Sequence, residues 1–149
     1  MRRLKKIFRH PASDQWFLFE ALGWLCWAKL LLLFVPFRWI ASRLGRVKGE
    51  TPSPISEVER RLALRVSWAV QSVALNLPLG FVCLPQAIAA KWMLRRRGLA
   101  STLYLGLRKG EGLKLGAHAW LRVGDKILTG RAESFHHQTI ASFADDVCA

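Results

Sequence analysis

Cysteine is scarce in this sequence and never closely paired: Cys26, Cys83 and Cys148 are the only three. Without a Cys-x-x-Cys pair, neither a disulfide framework nor a clustered-thiolate zinc site has its usual ligands. A reducing, cytoplasmic compartment is the simplest setting. The sequence also lacks an HExxH motif, a phosphate-cradling glycine loop and a calcium loop, so metal and nucleotide catalysis have no motif behind them and no cofactor is expected. Acidic residues are few, 10 against 23 Lys and Arg, for a formal net charge of +13. Such a chain attracts acidic peptides, anionic lipid or nucleic acid. Its basic residues are spread along the sequence without a recognised binding motif, which makes nucleic acid the weakest of the three.

A long uncharged run is missing too. The basic start MRRLKKIFRH followed by the apolar stretch from Trp16 to Ile40 imitates a signal peptide or anchor. Glu20, Lys29 and Arg38 interrupt it, however, and no charge-free stretch in it exceeds Leu30–Phe37, against the roughly 20 apolar residues that span a bilayer. No small-residue cleavage site follows in the expected position. The segment therefore reads first as a helix or helical pair enclosed by protein. Gly23 and Pro36 are its candidate bends, and Trp16, Trp24, Trp27 and Trp39 suit either an enclosed or an interfacial helix, with core filling as the plain reading. Attachment at a membrane interface ranks second and a transmembrane helix last. The expected location is cytoplasmic, with peripheral contact at the inner membrane face as its extension.

What is present points to a folded chain. Its 149 residues are 52% hydrophobic with a mean hydropathy of +0.17, enough for one domain with a real core or a small core plus a helical extension. GRVKGETPSP at 45–54 reads as a linker, dividing a helical region over 1–50 from a second domain over 51–149. Ser56 stands three residues before Glu59, a capping-box spacing, and Val58, Leu62, Val66, Ala69 and Val73 then recur at helical intervals until Pro78 and Gly80. A second helix is expected from about Leu84 to Arg96, with Pro85 in its first turn and Gly98 as its cap. Arg95, Arg96 and Arg97 crowd its C-terminal end, where positive charge suits the helix dipole. A solvated helix end is the plain reading of that run, and contact with an acidic partner the functional one. Strands are expected over 101–108, 115–123 and 126–129, joined by glycine-containing turns. The closing RAESFHHQTIASFADDVCA has weak periodicity and is expected to wrap over the sheet. The class is α+β: helices, then an antiparallel meander.

Two residues carry candidate chemistry. Cys83 stands at the start of the second helix, where unpaired N–H groups and the dipole favour thiolate. The same N–H groups, that of Leu84 among them, suit the oxyanion formed when a thiolate attacks a carbonyl. His118, 35 residues later on a strand, is the candidate to take and return the proton. On the residues alone, a buried cysteine and a packed strand histidine remain the favoured alternative. His136 and His137 would face opposite sides of an extended strand, which argues against joint chelation. They read as solvent-exposed loop histidines, with substrate contact as the other option.

The stretches CLPQAIAAKWMLRRRGLASTLYLGLRKG (Cys83–Gly110) and AHAWLRV (Ala117–Val123) resemble the transglutaminase-like, papain-type cysteine peptidases that remove leader peptides in lasso-peptide biosynthesis. The helices before them are similar to the N-terminal part of the stand-alone form, so the likeness covers most of residues 15–130. The resemblance implies a helix-plus-antiparallel-sheet core and amide hydrolysis through a Cys83 acyl-thioester, with His118 as general base and acid. It also implies an aspartate near positions where this chain has Gly130 and Arg131. Asp125, in a Gly-Asp turn, and Glu133, in the following loop, are the candidate replacements. A backbone carbonyl, another side chain or no orienting group are the other options. The implied partners are the precursor's leader peptide, a separate leader-recognition protein and an ATP-dependent macrolactam cyclase that receives the core peptide. The Arg95–Arg97 run and the apolar N-terminal helices are the candidate docking faces. The competing class is a noncatalytic membrane-surface or scaffolding protein of a biosynthetic complex, with Cys83 and His118 as packed core groups.

Overall fold

The computed structural model describes residue 5 and residues 9–52, 54–109, 115–134 and 137–146. In chain order the elements are α1 (Ala12–Phe34), α2 (Phe37–Ala41), β1 (Arg46–Val47), α3 (Glu57–Asn76), α4 (Cys83–Arg95), β2 (Thr102–Lys109), β3 (Leu115–Val123), β4 (Lys126–Thr129), α5 (Arg131–Ser134) and β5 (Gln138–Ala144). Local chemistry sets the helix ends. Pro36 holds Val35 in extended backbone (φ −115°, ψ 132°) and so stops α1, because a residue before proline is crowded out of the helical region. Gly23, expected as a bend, leaves α1 unbroken: glycine permits a departure from helix but does not impose one. At α3 the capping box is complete. The Glu59 N–H donates to Ser56 Oγ at 3.2 Å, and the Ser56 N–H donates to Glu59 Oε2 at 2.7 Å.

α4 is the central helix. Ala87, Ile88, Ala89, Ala90, Met93 and Leu94 are all fully buried, packed against α1, α3 and the sheet. The short alanine side chains let neighbouring backbones approach from several sides. One hydrophobic cluster runs from Phe17 on α1 to Phe143 on β5, so residues on both sides of position 50 share a core.

The sheet is five-stranded, in the order β1-β5-β2-β3-β4, with antiparallel pairs throughout. The β2-β3-β4 meander follows the expected spans closely. Two segments depart from expectation. The closing stretch does not wrap over the sheet: β5 enters it beside β2, with Phe143 opposite Leu103, leaving its partner distant in sequence. The supposed linker supplies β1, whose two residues pair with Phe143 and Ala144. An edge strand this short exposes little unpaired backbone.

A buried polar cluster ties the end of α4 to the sheet. Lys91 is fully buried; its Nζ donates to the Ser101 carbonyl at 2.8 Å and the Phe143 carbonyl at 3.2 Å, and stands 3.1 Å from Asp145 Oδ2. Asp145 also accepts from Arg95 and from both the N–H and hydroxyl of Ser101. Burial pulls the Lys91 ammonium down to about 8, against the opposing charge of Asp145.

The N-terminal helix corrects another expectation. Trp24 packs beside Trp92 with ring centroids 5.3 Å apart, but Trp16, Trp27 and Trp39 are more than half exposed and fill no core. α1 is long and apolar enough, with a window of mean hydropathy 1.8, to cross a membrane by length and composition; only 28% of that window is buried in the protein.

Candidate functional site

Cys83 is the first residue of α4 rather than the residue before it; Val82 holds the cap position and contributes no side-chain cap. The thiol is free and half-buried, packed against the core on the helix side of the sheet. Pro85 has no N–H, so Cys83 and Leu84 supply the donors of the first helical positions.

His118 sits on β3, only 8% exposed. Its Nε2 lies 3.0 Å from the Gly130 carbonyl. A carbonyl only accepts, so this bond puts the proton on Nε2 and leaves Nδ1 as the basic nitrogen of the neutral ring. The ring stacks on Trp120 (centroids 6.1 Å, 21°), and Trp120 stacks on Tyr104 (5.6 Å, 12°). Arg122 closes the row, donating to the Tyr104 hydroxyl at 3.1 Å and the Thr51 carbonyl at 2.9 Å, while that hydroxyl donates to Glu50 at 3.0 Å.

Two glycines make this packing possible. Gly130 has φ +70°, and a Cβ there would lie 2.6 Å from both the Ala119 carbonyl oxygen and His118 Nε2. Gly106, opposite His118 in the β2–β3 register, would push a Cβ to 2.6 Å from the Trp120 ring and 2.9 Å from the His137 Cβ. The His137 ring is thereby brought within 5.1 Å of His118. This corrects the reading of His137 as a solvent-exposed loop residue: it leads into β5 and half-buries against the histidine of β3. His136 lies outside the described residues, as do Cys148 and the side chain of Glu133.

The strand's alternation separates the proposed pair. Ala119, Leu121 and Val123 join the core beneath α4, whereas His118, Trp120 and Arg122 leave β3 on the other face. Cys83 belongs to the helix side, so the thiol and imidazole depart toward different sides of the sheet and no catalytic dyad is assembled among the described residues. Asp125, one of the two candidate acids, is engaged elsewhere. It sits in the β3–β4 turn beyond the end of the strand and pairs there with Arg60 at 3.6 Å. The hydrogen-bond acceptor beside His118 Nε2 is the backbone carbonyl of Gly130.

The arginine run is neither a bare helix end nor an open patch. Arg95 pairs with Asp145, while Arg96 and Arg97 both bond Glu20 of α1. Burial pushes the Glu20 carboxyl up, but the hydrogen bond and charge of Arg97, with the charge of Arg96, hold it below its usual value. Among the described residues no group of three or more His, Cys, Asp or Glu side chains could hold a metal.

A helical N-terminal region and a buried helix packed on a five-stranded antiparallel sheet define an α+β core. The chain belongs to the transglutaminase-like superfamily, whose profile matches residues 31–142. No curated protein and no solved structure shows significant similarity to it.

Proposed function

We propose that this protein is a cysteine peptidase that cleaves the leader from a lasso-peptide precursor. The observation that supports it is Cys83 at the first position of α4, in a chain of the transglutaminase-like superfamily. His118 Nδ1 takes the Cys83 thiol proton, the thiolate attacks the carbonyl of the leader's last residue, and the resulting oxyanion accepts from the Leu84 N–H. Collapse breaks the C–N bond; the departing core-peptide amine takes its proton from His118, and the leader stays on Cys83 as a thioester. Water then attacks, His118 takes its proton, and thiolate leaves. At rest the Gly130 carbonyl selects the tautomer with Nε2 protonated and Nδ1 as the basic nitrogen. The cycle requires the imidazole to leave its stack on Trp120 and meet Cys83 when substrate binds. A neutral carbonyl stabilises imidazolium less than a carboxylate does, so slow turnover is expected. A separate leader-recognition protein delivers the precursor in the cytoplasm, and an ATP-dependent macrolactam cyclase takes the core peptide.

The resting geometry speaks more directly for a second reading, a noncatalytic membrane-surface or scaffolding member of such a complex. It is favoured by His118 turning away from α4 and by the exposed aromatics of α1. One experiment separates the two: precursor and recognition protein are incubated with wild type, Cys83→Ala and His118→Ala, and products are read by mass spectrometry. The peptidase reading expects cleavage by wild type alone. Cleavage that survives Cys83→Ala rejects it, and a wild type that binds precursor without cutting it establishes the scaffold.

A further inference from the structure

α1 is apolar on two sides, and one of them packs into the core. Phe17, Leu18, Ala21, Leu25 and Ala28 are buried against α3 and α4. Trp16, Phe19, Gly23, Trp27, Leu30 and Phe34 are exposed. Their 3-4-4-3-4 spacing confines them to a sector of roughly 80° on the opposite face, at 100° per residue. The stripe is about 27 Å long. It contains no free charge, because the three charged residues of α1 turn to the protein: Asp14 pairs with Arg65, Glu20 with Arg96 and Arg97, and Lys29 donates to the Leu79 carbonyl. Phe34 (80% exposed) and Trp16 (66%) mark its two ends, and Trp39 on α2 (64%) extends it.

We infer that this stripe seats the protein on an anionic lipid surface, with α1 lying in the plane of the membrane. Charge decides the occupant. Arg2, Arg3, Lys5, Lys6 and Arg9 precede the stripe, exposed Arg38 and Arg43 follow it, and the chain carries +13. Acidic headgroups complement that distribution, whereas a second copy would bring another +13 to the same contact. Tryptophan suits the headgroup boundary, where its ring is buried and its N–H stays wet. An in-plane pose follows from the packing. The far side of α1 is committed to α3 and α4, so lipid cannot surround the helix.

The test is co-sedimentation of the full chain with vesicles of equimolar phosphatidylglycerol and phosphatidylcholine, and with phosphatidylcholine alone. Wild type is expected to bind the anionic vesicles, with a blue-shifted tryptophan emission, and to bind the neutral ones much more weakly. Trp27→Ser/Phe34→Ser should lose about tenfold or more in affinity, since both changed side chains insert. Leu75→Ser, an exposed position on α3 (76%), should bind as wild type does. Circular dichroism checks that each variant is folded. The inference is overturned if wild type ignores anionic vesicles, if the double variant binds unchanged, or if Leu75→Ser weakens binding equally. A wild-type dimer in solution that the double variant splits, without vesicle binding, would assign the stripe to a second copy instead. None of these outcomes depends on peptide cleavage.

Discussion

Replacing Gly130 by alanine should cost stability in two ways at once, through backbone strain and through overpacking. At φ +70° a Cβ meets the backbone strain of the left-handed region, about 1 kcal/mol for an L-residue, partly offset because alanine narrows the unfolded ensemble. The methyl would also lie 2.6 Å from the Ala119 carbonyl oxygen and from His118 Nε2, so strand or ring must shift. Overpacking of that kind costs about 1–3 kcal/mol. The sum is about 2–3 kcal/mol, roughly 5–10 °C in Tm for a chain of this size. Gly98→Ala is the matched control: its φ is +72°, yet nothing lies within 4 Å of the added atom. It should show the conformational cost alone, about 1 kcal/mol or less. Thermal melts of both variants measure the difference, and precursor cleavage below the melting range measures the effect on His118. Gly130→Ala should lose cleavage while Gly98→Ala keeps it. Equal melts and equal cleavage for the two would refute the carbonyl's role in seating His118.

The Lys91 ammonium titrates near 8 when folded, against about 10.4 when unfolded. Between those values the unfolded chain binds the extra proton, so stability rises with pH, and below pH 8 the cost of burying the charge is fully present. Urea melts at pH 7 and pH 10 should therefore show wild type gaining up to about 3 kcal/mol relative to Lys91→Met; a flat difference would contradict the buried pair. Ser56→Ala should destabilise α3 by about 1 kcal/mol in thermal melts. The Ser56 backbone N–H and hydroxyl hold the Glu59 carboxyl below its usual value, so this capping contribution should fade as acid protonates Glu59.

Local signals were the legible ones. The α3 cap, the proline that ends α1 and the hairpin from Leu115 to Thr129 rest on chemistry within a few residues, and the structure places them where the spacing predicts. β5 was hidden because its partner, β2, is some 35 residues away, and its first half (Gln138, Thr139, Ile140) is exposed rather than alternating. The direction of His118 was written in AHAWLRV: Ala117, Ala119, Leu121 and Val123 are apolar on one side, while His118, Trp120 and Arg122 share the other. The hydrogen bond from His118 to the Gly130 carbonyl was one of several options, since a backbone acceptor leaves no mark in residue type. The exposed side of α1 was illegible for a related reason. A helix apolar all round does not tell which face its own fold will cover.

The two ends of α4 are held very differently. Near its C-terminus, Lys91 and Arg95 are clamped by Asp145, Ser101 and the ends of two strands. At its other end Cys83 follows Val82, which offers no side-chain cap. The ionic socket therefore fixes only one end of α4, while the Cys83 end, about 12 Å from Lys91, is held by apolar packing of Pro85, Ala87 and Ile88. Polar changes in the socket should thus alter how α4 is anchored without touching the surroundings of the thiol.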